Sequence, residues 1–314
     1  KYVNMPRLEH GNHSLYNGRI VDKENEEAVF FDDTHEYFEK NTGRKGISVT
    51  TLIGLYEQPF NAEFWSSYKA LEQIMDLQTW IQVKKALLTT KKFDKRFITK
   101  FDINEEEFNK KKQEILDSYE KKKQESCDRG TKIHSKLEQE LYNKDPSIKR
   151  YGFGGLLDVY EGNYSRELKD GIYPEYMISY SDSEIFLIGQ IDLLTISNKR
   201  ILIVDHKTNS KIEFKSFYDQ NTKSSVKMKY PLNDLDDVNF NHYQLQLSIY
   251  AWMVQKIHPD YEVERLAIHW IDHDDNESFI ECKYLKDDVE KVIAHYKKMK
   301  KIQEELDKDK PFII

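Results

Sequence analysis

The stretch from Phe186 to Lys207 constrains the fold most, because it brings charged residues into an otherwise apolar β pattern. β-Branched and aliphatic residues dominate 185–196 and 201–204. Between these runs, Ser197 to Arg200 form the polar break that a tight turn needs. We therefore predict a β-hairpin.

The register of this hairpin follows from its turn. With Asn198 and Lys199 as the two turn residues, counting back along both arms places Asp192 directly opposite Asp205. Because side chains alternate along a strand, Lys207 projects to the same side as Asp205, and the residue between them points to the other side. The pattern predicts one patch holding two carboxylates and one ammonium group.

Two interpretations of this patch stay open at the level of the residues. Facing carboxylates repel, and each raises the pKa of the other unless a cation lies between them. A divalent metal would supply that cation, and oxygen ligands without thiolates favour Mg²⁺ or Mn²⁺. The alternative is a surface hairpin in which Lys207 forms a salt bridge with Asp192 or Asp205.

Composition excludes several classes of protein. The chain has 314 residues, enough for one large or two small domains with a sizeable core. Charged residues make up 33%, yet 20 Tyr and 16 Phe supply apolar area, as in a soluble globular protein. There is no run of about 18 apolar residues that would cross a membrane. The two cysteines are too few for a disulfide framework or a four-thiolate cluster, which favours a reducing cytoplasm.

A basic segment stands out against the net charge of −7. That net charge argues against a protein that coats nucleic acid with its whole surface. Locally, however, one acid, Asp94, is outnumbered by Lys84, Lys85, Lys91, Lys92, Lys95, Arg96 and Lys100. With Phe93 and Phe97 between them, these cations could follow a phosphate backbone and stack bases. A solvated helix with both rings turned inward is equally consistent with the pattern.

We predict three regions along the chain. Residues 1–47 have the pattern of a β-rich N-terminal segment, 48–128 that of a helical cap or insertion, and 129–314 that of the main domain with a C-terminal helix. At the start of the second region, Ser48 and Thr50 precede an apolar run. Hydroxyl groups there either cap a helix or hold a phosphate.

Helical patterns cover Asn61 to about Met75, Leu77 to about Thr89, and Asn104 to about Asn143. In the last of these, His134 lies one turn from Glu138, beside the apolar stripe. A histidine at such a position is either a structural residue or a metal ligand.

Further elements surround the hairpin. Tyr173 to Tyr180, which contains Glu175, is predicted as a strand. The segment from Thr208 to Asn241 is long, polar and lysine-bearing, and loops of that length are often functional. A helix follows from Tyr243 to Met253, with Gln246 and Tyr250 on one face. Two strands, Arg265 to Ile271 and Ser278 to Tyr284, and a closing helix from Lys286 to about Leu306 complete the prediction.

Taken in order, these elements resemble the PD-(D/E)xK nuclease superfamily. The resemblance rests on a Gly-Thr-x-x-His helix, a strand glutamate, Gly-x-x-Asp, Asp-x-Lys and Gln-x-x-x-Tyr, whose key residues are His134, Glu175, Gly189, Asp192, Asp205, Lys207, Gln246 and Tyr250. The nearer likeness is to the RecB-like branch, with its phage-type and mitochondrial genome maintenance exonucleases. It covers roughly Ser48 to Ile271.

The resemblance implies a fold and a set of roles. The fold would be α/β (α+β), a restriction-endonuclease-like core with a mixed central sheet flanked by helices, plus an N-terminal helical region. His134, Asp192 and Asp205 would bind metal together with the backbone carbonyl of His206. Lys207 would position the attacking water or stabilise charge on the phosphate. Glu175 would assist the metal site, and Gln246 and Tyr250 would brace it or contact the strand being cut.

The implied cofactor is Mg²⁺ or Mn²⁺, as two ions. Some relatives carry an iron–sulfur cluster on four cysteines, which this chain lacks, so no such cluster is expected. There is also no Gly-x-x-x-x-Gly-Lys-Ser/Thr loop, so no attached motor ATPase is expected.

The implied function is a metal-dependent deoxyribonuclease, an exonuclease acting on DNA ends or single strands in phage or bacterial replication, recombination or processing. The partners would be DNA, with no membrane, and a possible recombination or replication protein, in the cytoplasm of a bacterial or phage-infected cell. The predicted contacts to nucleic acid are Ser48, Thr50, Lys91, Lys92, Lys95 and Arg96. The alternatives are a structure-specific or restriction-like endonuclease and a non-catalytic DNA-binding or packaging component.

Overall fold

The computed structural model describes residues 9–10, 13–14, 19–20, 28–31, 36–39, 42–145, 148, 168–219 and 224–308. The chain divides into two compact units. The larger unit takes in residues 1–57, 132–217 and 225–314, and the smaller takes in 58–131 and 218–224. Residues 48–57, which we predicted to begin a helical insertion, thus belong to the larger unit.

The elements alternate between strands and helices along the chain. The strands are β1 (Glu9–His10), β2 (His13–Ser14), β3 (Arg19–Ile20), β4 (Ala28–Phe31), β5 (Glu36–Glu39), β6 (Ile47–Ser48), β7 (Gly171–Ser181), β8 (Phe186–Ser197), β9 (Arg200–Lys207), β10 (Tyr218–Asp219), β11 (Ser224–Ser225), β12 (Glu262–Ile271) and β13 (Glu277–Cys282). The helices are α1 (Val49–Gly54), α2 (Ala62–Ile74), α3 (Leu77–Thr90), α4 (Arg96–Lys100), α5 (Glu105–Lys144), α6 (Asn239–Ile257) and α7 (Lys286–Lys308).

A six-stranded mixed sheet is the centre of the larger unit. Its strand order is β13-β12-β9-β8-β6, with β7 paired to β8. The β9–β12 and β6–β8 pairs are parallel, and the other pairs are antiparallel. Helix α6 packs against β7, β9 and β12, and α7 packs against α6. The predicted α/β class, a mixed sheet flanked by helices, is confirmed.

The predicted hairpin turn is confirmed at β8 and β9. Ser197 pairs with Arg200, and the two turn residues, Asn198 and Lys199, have φ angles of 50° and 62°. Positive φ at both central positions is the requirement of a type I′ turn, whose twist matches that of the two strands.

The β8–β9 ladder stops one position before the two aspartates. Its last pair is Leu193 with Val204, in the register that places Asp192 and Asp205 next. Further back along β8, residues 187 and 188 pair with β6 instead. On this edge of β8, residues 189–192 therefore lie between two ladders, while residues 189–191 still pair with β7 on the other edge. The polar side chains gather at this gap.

Helix α6 is buried along its middle, where every residue from Gln244 to Val254 is enclosed. A helix that is apolar on most sides belongs in the interior of a protein. The polar residues at Gln246 and Tyr250 must therefore find partners inside, which directs them toward the sheet.

The smaller unit is helical within its described residues. Helix α2 begins at Asn61, whose side chain accepts the Phe64 N–H, and α3 begins at Asp76, whose side chain accepts the Thr79 N–H. Their apolar faces meet α4 and the first part of α5 in a core built from Phe64, Tyr68, Ala70, Leu71, Trp80, Val83, Leu87, Ile98, Phe108 and Ile115. None of the helices in the described ranges has the length and apolar character needed to cross a membrane.

Candidate active site

Asp205 is held by two side chains from different elements. Its carboxylate is almost fully buried, with a relative exposure of 1%. Oδ1 accepts a hydrogen bond from Gln246 Nε2 at 3.1 Å, and Oδ2 lies 2.6 Å from Lys207 Nζ. The ion pair of the second interpretation is present, but it lies in the interior and not on a surface hairpin.

Asp192 is held by the backbone of the neighbouring strand. Its Oδ2 accepts the His206 N–H at 2.6 Å. This bond replaces the next rung of the ladder, because the β8–β9 pairing ends at Leu193 and Val204. The free oxygen, Oδ1, lies 3.6 Å from His134 Nδ1.

Glu175 occupies the position opposite Asp192 on β7, between the pairs Pro174–Leu193 and Tyr176–Ile191. Its φ is 49°, a left-handed conformation that a non-glycine residue rarely adopts within a strand. The carboxylate Oε2 accepts from Gln190 Nε2 at 2.8 Å. The unusual backbone thus coincides with the point where three elements meet.

His134 joins the cluster from helix α5. Its Nε2 lies 3.1 Å from the carbonyl oxygen of His206, and its Nδ1 lies 3.6 Å from Glu175 Oε1. Burial alone would lower the pKa of His134, but the hydrogen bond to Glu175 and the charge of Asp192 outweigh it and raise the pKa to about 9. The protonated ring can then donate to the carbonyl and face both carboxylates.

The electrostatics of the cluster favour an added cation. Burial raises the pKa of Asp192 well above its ordinary value, and the charge of Asp205 raises it further. Burial would lower the pKa of Lys207, but Asp205 and Asp192 reverse this and raise it, so the ammonium group stays charged. The nearby cations of the protein therefore offset the negative charge of Asp205 better than that of Asp192.

The donor set fits a divalent metal. One ligand atom from each of His134, Glu175 and Asp192 lies within 4.8 Å of the others, and these residues form a possible metal-binding group. Oxygen donors with one imidazole suit Mn²⁺ or Mg²⁺. A bound cation would take the place of the His134 proton and relieve the repulsion on Asp192.

Gln246 and Tyr250 lie one turn apart on α6, as predicted. Besides Asp205, Gln246 Nε2 donates to the Tyr250 hydroxyl oxygen at 3.2 Å. The ring of Tyr250 approaches β8 at Gly189, where an added Cβ would lie 2.4 Å from a ring carbon. Burial raises the pKa of Tyr250, so its hydroxyl stays protonated. The predicted Gly-x-x-Asp pattern thus has a packing reason at its first position.

Two contacting residues, Gln190 and Tyr243, had not been predicted. Gln190 holds Glu175, and the ring of Tyr243 lies 4.8 Å from Lys207 Nζ. Tyr243 precedes Gln246 by three residues, so the helical spacing could have revealed it.

The side chain of His206 lies at the margin of the cluster, where its ring meets the ring of His134 edge-on at 5.6 Å between centroids. Its Nδ1 lies 2.9 Å from Nδ1 of His269, which is its register partner on β12. Burial lowers the pKa of His206 to about 3, with a further contribution from His134. The ring therefore stays neutral, and the carbonyl and N–H of His206 make its hydrogen bonds to His134 and Asp192.

Ser48 and Thr50, two of the predicted contacts to nucleic acid, are not among the residues of this cluster. Ser48 caps α1, and its Oγ accepts the Thr51 N–H at 3.1 Å. Ser48 also borders a cavity of about 520 Å³ with Lys45 and Lys300, while Thr50 is exposed. Their contact with a phosphate stays a prediction.

In the smaller unit, Lys91, Lys92, Lys95 and Arg96 are exposed. Phe93 and Phe97, by contrast, pack against the core of that unit, with Phe93 stacked on Phe108 at 5.1 Å. The rings are turned inward, as in the second interpretation of this segment, so they do not present faces for bases. The cations alone remain candidates for phosphate contact.

No known family model matches the chain, and no curated protein sequence matches it. Among solved structures, it is similar to one described as "Crystal structure of SSO0001", with 15% identity, a TM-score of 0.29, and coverage of 65% of this chain and 68% of that one. A second, a "Putative exonuclease" from Eubacterium rectale, is 13% identical with a TM-score of 0.28, and 78% of this chain and 67% of that one are covered. Neither likeness is close enough to show a family. The class of protein is therefore defined by the molecule itself: a mixed α/β protein with a candidate metal centre at an interrupted sheet.

Proposed function

We propose that this chain is a Mg²⁺- or Mn²⁺-dependent nuclease that hydrolyses phosphodiester bonds of DNA. The observation that carries the proposal is the convergence of His134, Glu175, Asp192 and Asp205 on one cluster with a buried, charged Lys207. Metal-binding groups beside a fixed ammonium group are suited to a substrate that carries negative charge at the reacting centre.

His134, Glu175 and Asp192, whose ligand atoms lie within 4.8 Å of one another, would hold the metal with the carbonyl of His206, and Asp205 beside them is proposed as a further ligand. A metal ion bound there would lower the pKa of a water molecule and neutralise negative charge on the phosphate. The protein's part is to hold these groups in place. Lys207 keeps its proton because Asp205 lies 2.6 Å away, so it can orient a water molecule or offset charge on a non-bridging oxygen.

Gln246 and Tyr250 are positioning residues in this proposal. The amide of Gln246 fixes Asp205 Oδ1, so the other carboxylate oxygen is directed toward Lys207. Tyr250 fixes the amide in turn and occupies the space that Gly189 leaves open.

We further propose that the enzyme is an exonuclease that acts on DNA ends or single strands in phage or bacterial replication, recombination or processing. This preference rests on the resemblance to RecB-like exonucleases and on the interleaved helical region. The test is digestion of end-labelled linear DNA and covalently closed circles, each single- and double-stranded, with Mg²⁺, Mn²⁺ or EDTA. Linear substrates should be degraded only with metal, and closed circles should resist. Rapid nicking of circles would indicate an endonuclease instead, and binding without turnover a non-catalytic DNA-binding component.

Variants separate the cluster from the rest of the surface. Asp192→Ala and Lys207→Ala should each reduce turnover by several orders of magnitude while DNA binding stays measurable. Lys297→Ala is a matched control, since it removes another lysine–aspartate ion pair of the larger unit, to Asp182 at 2.5 Å. It should keep full activity, and near-full activity of Lys207→Ala would overturn the assigned role.

A further inference from the structure

Aromatic side chains extend from Lys207 toward the surface of the larger unit. The ring of Tyr243 lies 4.8 Å from Lys207 Nζ. Phe240 precedes Tyr243 by three residues on α6, so the two rings share a face of the helix. Phe240 contacts Phe214, with ring centroids 4.7 Å apart at 45°.

The outermost ring, Phe214, is exposed although its backbone is fixed. Its side chain is 55% exposed. The preceding residues are held by Asn239 at the start of α6: its Oδ1 accepts the Glu213 N–H at 2.8 Å, and its Nδ2 donates to the Lys211 carbonyl at 2.9 Å. The adjacent Ile212 is buried. The segment is therefore pinned on both sides of its apolar residue, and Phe214 is held out toward solvent.

The inner end of this strip is fixed as well. The Tyr243 hydroxyl donates to Asn209 Oδ1 at 2.8 Å, and Trp270 Nε1 donates to the Asn209 carbonyl at 2.7 Å. The chain that leaves Lys207 is thus held beside the ring of Tyr243. A rigid aromatic surface loses little conformational entropy when it binds a ligand, which favours a binding role.

Charge next to the strip indicates what it would bind. Lys211 and Lys215 are exposed on either side of Phe214, and Glu213, which lies 3.0 Å from Lys211, is the acid between them. Aromatic rings next to lysines suit a strand of nucleic acid, whose bases stack on rings and whose phosphates contact cations. Bases within a duplex are stacked on one another and do not offer their faces.

We propose that the exposed ring of Phe214, supported from behind by the partly buried rings of Phe240 and Tyr243, stacks an unpaired base and leads a single strand of nucleic acid to Lys207. The inference rests on the proposed nuclease function and specifies its substrate class as single-stranded. The strip starts at the lysine of the candidate active site, so a strand lying on it would pass its phosphate next to Lys207.

The test measures binding in EDTA, so it requires no turnover. The probes are fluorescein-labelled oligothymidylate, a strand of the same length without bases, and a blunt duplex of that length, measured by fluorescence anisotropy. Phe214→Ala should bind oligothymidylate about 5- to 100-fold more weakly than wild type, the loss of one stacked base. Phe214→Trp should restore the affinity, and the strand without bases should bind wild type and Phe214→Ala alike.

Phe279→Ala is the matched control, because Phe279 is 62% exposed and is the register partner of His269. His269 pairs in turn with His206, so Phe279 lies on the face of the sheet opposite Lys207. This variant should bind oligothymidylate as wild type does.

Three results with Phe214→Ala would each overturn the stacking surface: unchanged binding of oligothymidylate, an equal loss for the strand without bases, or an equal loss for the duplex. An equal loss by Phe279→Ala would overturn it too. Cleavage of the same oligothymidylate by wild type in Mn²⁺ is measured separately. Binding as predicted without cleavage would contradict the proposed function alone, whereas cleavage with unchanged binding by Phe214→Ala would contradict only the stacking surface.

Discussion

Gly189 shows how a single residue without a side chain shapes the site. An alanine Cβ there would lie 2.4 Å from the Tyr250 ring and 3.1 Å from Val49. Both neighbours are buried, so neither can move away freely. We expect Gly189→Ala to destabilise the protein by about 1–3 kcal/mol, as overpacking does, and to lower turnover by displacing Tyr250. Urea unfolding and a nuclease assay measure the two effects.

Gly54 is the matched control for that substitution, since a Cβ added there meets nothing within 4 Å. It ends the short helix α1. Gly54→Ala should therefore leave activity unchanged and stability equal or higher by about 0.5–1 kcal/mol. Equal effects of the two alanine substitutions would contradict the packing role of Gly189.

His134 predicts a pH dependence of stability in the metal-free protein. Its pKa is raised from 6.5 to about 9 on folding. A group whose pKa is raised on folding stabilises the folded protein. This stabilisation is complete at pH values below the pKa of the group in the unfolded chain, and it is lost as the pH rises through its pKa in the folded protein. In EDTA, the free energy of unfolding should fall between pH 6.5 and 9, by about 2 kcal/mol from this group. His134→Gln should reduce this fall in the free energy of unfolding. Urea titrations of wild type and His134→Gln at pH 6.5 and 9 measure it, and an equal fall in both proteins would contradict the role of His134.

For single residues, the alternation of strand side chains and the count from the turn predicted where the site residues lie. They did not predict which side chains those residues contact. The turn at Asn198 and Lys199 was enough to place Asp192 next to Asp205. The left-handed backbone of Glu175 and its bond from Gln190 had no signal in the sequence, because they depend on how β7 and β8 pair. Partners of this kind come from tertiary packing and not from local pattern.

The elements themselves followed from their periodicity. Helix α3 was predicted from Leu77 to about Thr89 and ends at Thr90. Helix α6 was predicted from Tyr243 to Met253 but spans Asn239–Ile257, longer at both ends. Its first turn was hidden in the long polar segment before it, because the N-cap residue, Val238, forms no side-chain cap of the kind that marks a helix start. That missing turn holds Phe240, which supports the exposed ring of Phe214 from behind.

The segment between α3 and α4 yields a prediction at the scale of elements. Lys91, Lys92 and Lys95 are exposed. Arg96 is left unchanged in the variant, because its Nε donates to Asp94 at 2.7 Å. If these lysines contact phosphates, changing all three to glutamine should reduce the salt dependence of single-strand affinity by a slope of about 2, roughly 0.7 per contact. The measurement is anisotropy across a series of salt concentrations.

The control replaces the exposed Lys121, Lys122 and Lys123 of α5 in the same unit, which removes the same charge. If Lys91, Lys92 and Lys95 contact phosphates, the salt dependence of affinity should fall more in their triple variant than in the control triple variant. Equal slopes would show that only the net charge matters, and the segment would then be a solvated surface with its rings packed inward.

For the whole molecule, the central claim is that the cluster binds a metal ion that the folded state alone can hold. In EDTA, Asp192→Asn should be as stable as wild type or more so, because it removes a buried charge facing Asp205 and the amide oxygen can still accept the His206 N–H. Asp205→Asn should be less stable, because it leaves the buried Lys207 without its partner.

The most direct measurement is thermal melting of wild type, Asp192→Asn and the control Asp182→Asn, in EDTA and in millimolar Mn²⁺. A ligand at a hundredfold excess over its Kd stabilises the folded state by about 2.7 kcal/mol, which for a protein of this size raises Tm by roughly 5 °C. Wild type and Asp182→Asn should both show that rise, and Asp192→Asn should lose most of it. If Mn²⁺ leaves the wild-type Tm unchanged, or raises that of Asp192→Asn equally, the cluster is not the metal site.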